Sequence, residues 1–189
     1  MKSNQGVRQK WIEAAYSEFS LSGPDFSLKA LSEKSKLPRA SLYYHFASKE
    51  ELLEELLFLH QENINKYHSH IEENVKSLIP DLYKAVYSHK EGILFHRQLL
   101  LHPEKDEFYT LYRSANEKSF AILLPHIKRL FDSSGSNEEF IQFYHTLTDA
   151  WYIRLDPNNF SVESMIALAM KIMENTLGLF SGSISPKNN

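Results

Sequence analysis

Residues 26–53 read FSLKALSEKSKLPRASLYYHFASKEELL, and this stretch decides how the chain folds. Ser27 precedes a short apolar-periodic run, which predicts a helix capped by the serine side chain. Residues 35–38 predict a tight connection. Pro38 suits the start of the next helix, which reaches about His45, because its missing N–H would be unpaired at that position anyway. Two short helices joined by a tight turn form the pattern of a helix-turn-helix.

The residues on either side extend this unit with helices. An apolar face that repeats at helical spacing predicts a first helix from about Gln5 to Leu21, ended by Gly23. Ser48 and Glu51 have the spacing of a capping box, in which each side chain satisfies the other residue's backbone N–H. A long helix is predicted to begin there.

Helical patterns continue through the rest of the chain. They are broken at Pro80, at Pro103, at a serine-rich loop over 133–136 and at a turn over 156–159. Pro125 is predicted to kink or interrupt one of these helices. Capping serines open the last two helices, Ser136 (in a capping box with Glu139) and Ser161, and a frayed tail is expected from Ser181 onward.

These patterns predict an all-α fold. Six glycines and seven prolines in 189 residues are too few for a sandwich or barrel with a turn every ten residues or so. We predict an N-terminal three-helix helix-turn-helix head over residues 1–48. A larger helical body is predicted over residues 49–189.

Composition excludes several classes of protein. The chain has no cysteine, which excludes disulfide frameworks, thiolate zinc sites and cysteine nucleophiles. No apolar run approaches the roughly 20 residues that span a bilayer, and the N-terminus lacks the apolar region of a secretion signal. We therefore expect a cytoplasmic protein with no membrane partner.

Charge is distributed unevenly along the chain. The first 49 residues hold eight Lys and Arg against four Asp and Glu, a net charge of +4, whereas the remainder carries −7. A basic head on an acidic body favours a polyanionic partner for the head. A solvated basic surface is an equally good explanation, so the motifs must decide.

The second short helix carries polar, small and aromatic side chains that a protein core does not need. An arginine or histidine can read base edges in a major groove, small residues allow close approach, and a phenol ring can lie against sugar or a thymine methyl group. Lys49 lies at one flank of this helix, near a helix N-terminus that favours phosphate. Ser27 and Lys29 lie in the same way at the other flank. The candidate reading residues are Arg39, Ala40, Ser41, Tyr44 and His45.

This segment, with the helix before it, resembles the DNA-binding signature of the TetR family of bacterial transcriptional regulators over about Val7–Leu53. The resemblance implies a homodimer with a three-helix DNA-binding head and a helical body that binds a small-molecule effector. We therefore expect a ligand-responsive repressor that binds a palindromic operator in double-stranded DNA. Carried over by position, the implied DNA contacts are Ser27, Lys29, Pro38, Arg39, Ala40, Ser41, Tyr43, Tyr44, His45 and Lys49.

Two positions in the head need separate comment. Many members of the family have Ala-Gly in the turn, where this chain has Ser35-Lys36, and a non-glycine residue there costs roughly 1 kcal/mol if its φ is positive. Tyr43 and Phe46 are spaced to face the first helix, which predicts packing, although the resemblance implies that Tyr43 lies at the DNA backbone.

The body supplies weaker signals. Aromatic side chains suit a ligand pocket, and the candidates are Phe95, Tyr109, Tyr112, Phe120, Tyr144 and Trp151. Apolar stripes on the last two helices suit a dimer interface formed as a four-helix bundle, with the candidates Leu147, Trp151, Met165, Ile166, Ala169, Met173 and Leu177. The same residues could simply form the core of one chain.

No enzyme, cofactor or metal is predicted. His68 with Glu72 and His145 with Asp149 could each share a cation, but no closed ligand set appears. Glycine-rich phosphate loops and nucleophile elbows are absent from the sequence. Two alternatives remain: an activator on the same fold, and a helical protein-interaction module whose basic head is merely solvated.

Overall fold

The computed structural model describes residues 2–130 and 136–181. Within these ranges the chain is all-α, as predicted. The helices are α1 (Lys2–Ser22), α2 (Leu28–Ser35), α3 (Arg39–Leu42), α4 (Lys49–Asn74), α5 (Tyr83–Ser88), α6 (Lys90–Leu101), α7 (Asp106–Leu130), α8 (Asn137–Arg154) and α9 (Val162–Ser181). Most of the predicted loop over 133–136, and the predicted tail beyond Ser181, lie outside the described residues.

Helix α1 ends just before a glycine that another residue could replace only with strain. Gly23 has a φ of 71° and opens a short 3₁₀ turn. A Cβ at this position would lie 2.5 Å from Cε1 of His102, which is on the chain just after α6. The glycine therefore provides both the left-handed backbone and the room for this close approach.

The helix-turn-helix forms with a strained turn. The Ala30 N–H donates to the Ser27 side chain at 3.0 Å, so the predicted cap is confirmed. Lys36 ends α2 in the left-handed region, with φ 58° and ψ 33°, and its N–H donates to the carbonyl of Ser32. The family's glycine position is thus occupied by a lysine in the conformation that favours glycine.

Helix α3 is shorter than predicted. Its regular part begins one residue after Pro38 and ends at Leu42. The chain then tightens, because the N–H of Tyr44 donates to Ser41 and that of His45 to Leu42, each three residues back. Bonds of this spacing form a 3₁₀-type turn and not an α-helix.

The two predicted capping boxes differ in the structure. At α8 both reciprocal bonds of Ser136 and Glu139 are present, as predicted. At α4 the Glu51 N–H donates to Ser48, but the Glu51 carboxylate accepts from the N–H of Ala47 instead of Ser48. That side chain reaches one residue further back, so only half of the predicted box forms.

Pro125 does not interrupt α7, so of the two predicted outcomes only a kink stays a prediction. The helix runs from Asp106 to Leu130 with the proline inside it. A proline in a helix removes one backbone hydrogen bond. The flanking turns pack against other helices through Leu123 and Ile127, which are both buried.

Head and body share one core. Phe95 of α6 stacks on Phe19 and Tyr16 of α1, with ring centroids 4.0 and 4.5 Å apart, and on His60 of α4 at 4.3 Å. The Gln98 side chain of α6 also donates to the carbonyl of Leu21 at the end of α1. Helix α1 therefore packs on the body as well as on α2, across the predicted boundary at residue 48. In the described part of the chain, no helix is both long and apolar enough to cross a membrane.

Replacing Lys36 by glycine is expected to stabilise the protein by about 1 kcal/mol, because glycine adopts a left-handed backbone without strain. Chemical denaturation measures the change. Lys10→Gly, which removes an equally exposed lysine from the middle of α1, is the control and should destabilise by about 1 kcal/mol. A loss of stability in Lys36→Gly would contradict the strained turn.

Candidate nucleic-acid interface

The head surface, defined here as the ten predicted DNA-contact residues, is mostly open to solvent. Tyr44 is 84% exposed, and Pro38, Arg39 and Ala40 are exposed beside it. No ion pair within the described residues uses Arg39. Its guanidinium is therefore free to bind an anion or a base edge.

Ser41 has a different position from its neighbours. It is half-buried, and its hydroxyl accepts from the indole N–H of Trp11 at 3.2 Å and donates to the carbonyl of Pro38 at 2.9 Å. Trp11 is fully buried in α1. Ser41 thus fixes α3 to α1 and orients the exposed residues beside it.

The packing prediction for two aromatic residues is half right. Phe46 is buried, with the Arg8 guanidinium 5.0 Å from its ring centroid. Tyr43 is 59% exposed, so the prediction that it packs on the first helix is wrong. The tight turn after Leu42 changes the angular spacing that the prediction assumed. His45 is half-buried, with its ring edge-on to Tyr44.

Lys49 joins two helix N-termini. Its ammonium donates to the carbonyl of Phe26 at 3.0 Å and lies 4.4 Å from the Phe26 ring centroid. This contact brings the start of α4 beside the start of α2, which Ser27 caps. Two positive helix ends next to each other favour a phosphate group. An ammonium has three donors, so Lys49 keeps two for other partners.

Lys29 completes the basic flank. Its side chain is 72% exposed, and its nearest carboxylate is that of Glu33 at 3.9 Å. An ion pair this exposed contributes little and does not fix the lysine in place.

The body holds two neighbouring cavities. The histidine cavity, about 300 Å³, is lined by Tyr16, His60, His68, His96, Asn116 and Ser119 among others. The aromatic cavity, about 130 Å³, lies on the other side of a wall that the two share. The wall consists of Tyr67, Asn116, Ser119 and Tyr152, which line both.

Two of the six predicted ligand-binding residues, Tyr144 and Trp151, line the aromatic cavity. The other four line neither cavity. Phe95 is the centre of the aromatic stack between α1, α4 and α6, and Tyr112 is buried with its hydroxyl donating to Asp149 at 2.7 Å. Tyr109 is 45% exposed beside Arg113, and Phe120 is buried against Tyr144.

The sequence analysis missed the histidines as cavity residues. His60 and His68 stand among the buried apolar positions of α4 with Ile64 and Ile71. Polar residues at such positions are uncommon and are informative when they occur. This signal was available at the sequence level.

Three histidines form part of a hydrogen-bonded interior. Tyr16 bonds His60 Nδ1 at 2.8 Å, and His60 Nε2 bonds His96 Nδ1 at 3.2 Å. His68 Nε2 contacts the Ser119 hydroxyl at 2.9 Å. Among the described residues, no three His, Asp or Glu side chains gather so that they could hold a metal ion.

Burial keeps these histidines neutral. Desolvation lowers the pKa of His60 well below its usual value, and the pKa of His96 to about 3. Burial lowers the pKa of His68 to about 4. In each case the charged form would lose its hydration inside the protein.

The predicted dimer residues divide into two groups. Trp151, Met165 and Ala169 are buried in the core of the chain itself.

 

Leu147, Ile166 and Met173 are half-buried, and the side chain of Leu177 lies outside the described residues. On α9, Ile166 and Met173 share a face with Met170, which is 41% exposed. This partly exposed apolar stripe lies beside the buried stripe of α9, and Met173 also lines the aromatic cavity.

Replacing Ser41 by alanine is expected to destabilise the protein by about 1 kcal/mol or more, because the buried indole N–H of Trp11 loses its acceptor. Tyr44→Ala, which truncates a side chain on the solvent side of the same turn, is the control and should change stability by less than about 0.5 kcal/mol. Urea unfolding compares the two variants. Equal effects would contradict the separate position of Ser41.

Acid is expected to destabilise the protein before most carboxylates titrate. The folded pKa of each buried histidine lies below the usual 6.5, so the unfolded chain binds more protons and stability is lost as the pH falls below that value. Each such histidine contributes a slope of about 1.4 kcal/mol per pH unit. Unfolding of the protein and of His96→Gln between about pH 7 and about pH 5 should give a shallower slope for the variant. Identical slopes would contradict a neutral buried His96.

The comparisons with known proteins agree with this architecture. The fold is similar to that of Salmonella enterica GusR, with a TM-score of 0.55, 17% identity, and coverage of 92% of this chain and 95% of that one. It is also similar to a transcriptional regulator (TerR/AcrR family) from Aquifex aeolicus VF5, with a TM-score of 0.53, 16% identity, and coverage of 92% and 99%. At these identities the likeness shows the fold alone. No curated protein matches the chain.

The head matches a known protein family. Residues 12–56 match the family described as bacterial regulatory proteins, tetR family, and this range contains the helix-turn-helix and the start of α4. The family is one of regulators and not of enzymes. The match is confined to the head and the start of α4, and it shows what these residues are similar to.

Proposed function

We propose that the protein is a ligand-responsive transcriptional repressor that binds a palindromic operator as a homodimer in the cytoplasm. The observation that carries this proposal is the arrangement of α3 and the turn after it: Ser41 is fixed to the buried Trp11, whereas Arg39 and Tyr44 are exposed to solvent. A rigid helix that presents such side chains suits insertion into a major groove.

The flanks of the head surface support phosphate binding. Lys49 holds the N-termini of α2 and α4 side by side, and Lys29 is exposed nearby. Phosphate contacts of this kind fix the register of a protein on DNA, while base contacts provide specificity. In this division of roles, residues 1–48 bind DNA and residues 49–189 bind the effector and the second subunit.

The second subunit would pack on α8 and α9. Ile166, Met170 and Met173 form a partly exposed stripe on α9, and Ile153 of α8 is 55% exposed. Apolar stripes on two adjacent helices can pair with their symmetry copies in a four-helix bundle. A two-fold dimer binds two half-sites related by the same symmetry, which is why a palindrome is expected.

Repression would depend on the distance between the two heads. Two recognition helices reach successive major grooves only when they lie about 34–36 Å apart. An effector that binds better to a state with another separation shifts the dimer toward that state and lowers its affinity for the operator. Because α1 packs on α6, a shift in the body moves the support of the head as well.

Selection of bound fragments from random and source-genome DNA is expected to enrich a palindrome. Arg39→Ala with Tyr44→Ala should weaken binding to it by roughly a hundredfold, since the dimer loses contacts worth about 1–3 kcal/mol in each half-site. Titration of labelled DNA measures the loss.

The matched control removes an arginine and a tyrosine from the body instead, by Arg129→Ala with Tyr87→Ala, and should bind as the unaltered protein does. No enrichment, or equal binding by both double variants, would refute α3 as the reading helix. The position of the enriched site relative to a promoter distinguishes repression from activation.

A further inference from the structure

The wall between the two cavities contains a buried polar group that lacks a partner. Asn116 is 3% exposed, lines both cavities, and has no hydrogen-bond partner for its Nδ2. Leaving such a donor unpaired inside a protein is unfavourable, and native structures rarely do so without a reason. A ligand that supplies the missing acceptor is one such reason.

The neighbouring hydrogen bonds set the orientation of this amide. Burial raises the pKa of Tyr16, so its hydroxyl keeps its proton and can donate to Nδ1 of His60. The Nε2–H of His60 then donates to Nδ1 of His96, and His96 bonds the Asn116 side chain. A donor from His96 requires the amide oxygen as acceptor, which leaves the NH₂ group of Asn116 as the unpaired donor.

A second unpaired atom belongs to His68, which lines the same histidine cavity as Asn116. His68 Nε2 faces the carbonyl of Ala115 at 3.2 Å, so this nitrogen carries the proton of the neutral ring. Its Nδ1 is then an acceptor, and it is buried without a partner. The histidine cavity therefore offers one donor and one acceptor that the described part of the chain leaves unused.

Charged side chains line the histidine cavity only at its rim. Lys66, Lys90 and Glu91 are all exposed, whereas the buried lining histidines are neutral. An ionised ligand group buried beside Asn116 would lack a counter-charge at that depth, which is strongly unfavourable. The interior therefore favours an uncharged polar group.

The aromatic cavity fits the rest of such a molecule. Its lining includes Leu123, Ile127, Phe143 and Trp151, and its volume of about 130 Å³ is close to that of an apolar cavity that accepts one benzene ring. Asn116 stands between this apolar space and the polar one. A molecule with an apolar end and a polar end would place each end in matching surroundings.

We propose that the two cavities together bind an uncharged amphipathic molecule, whose carbonyl or hydroxyl oxygen accepts a hydrogen bond from Asn116 and whose apolar part fills the aromatic cavity. The role of this molecule as the effector rests on the proposed function. Its binding does not, because binding is measured on the protein without DNA.

Three probes of one skeleton test the inference: benzylacetone with a ketone, hydrocinnamate with a carboxylate, and butylbenzene with no oxygen. Calorimetric titration of the full chain is expected to show benzylacetone binding about tenfold or more tightly than either of the others. Asn116→Leu should reduce this preference for the ketone to about twofold or less.

A spectroscopic readout covers the case in which Asn116→Leu folds poorly. In the unaltered ¹⁵N-labelled protein, the side-chain amide signal of Asn116 should shift with benzylacetone and not with butylbenzene. Equal binding of the three probes, tighter binding of hydrocinnamate, or no binding of benzylacetone would overturn the proposal.

The outcomes separate this inference from the proposed function. Binding of benzylacetone without any change in affinity for the selected DNA supports the ligand class and contradicts release by the ligand. Specific DNA binding together with failure of all three probes contradicts the ligand class and leaves the DNA-binding role standing.

Discussion

The stack of Phe95 on α1 and α4 is the interaction on which the rest of the structure depends. Phe19, Tyr16 and His60 lie against this one ring, so the helix that carries the head also forms part of the body's core. Trp11, which precedes these residues in α1, donates a hydrogen bond to Ser41 and so fixes the position of α3. The exposed surface of the head is therefore supported from within the body by direct packing.

Much of the head could be predicted from the sequence, because its signals are local. The caps at Ser27 and Ser48 and the end of α1 at Gly23 each depend on a few neighbouring residues. The errors arose where geometry departs from the ideal period. Tyr43 faces solvent because the chain tightens after Leu42.

The cavities of the body could not be predicted in the same way, because a cavity is formed by side chains from several helices. Aromatic residues are common in ligand pockets, but the residue type does not say where a side chain lies. Phe95 fills the core, whereas Tyr109 faces solvent. The better signal was a polar residue on an apolar helix face, as at His60 and His68. Such residues form much of the polar lining of the histidine cavity. They come together only when α4, α6 and α7 pack against one another.

The most direct test of the account is the salt dependence of DNA binding, measured on the selected palindrome with the unaltered protein and with Lys29→Ala. Binding through phosphates should weaken steeply as salt rises, and the loss of one lysine from each head should reduce the slope of log Kd against log salt by about two. Affinity that hardly changes with salt, or a slope that Lys29→Ala leaves unaltered, would contradict the assignment of this surface to DNA.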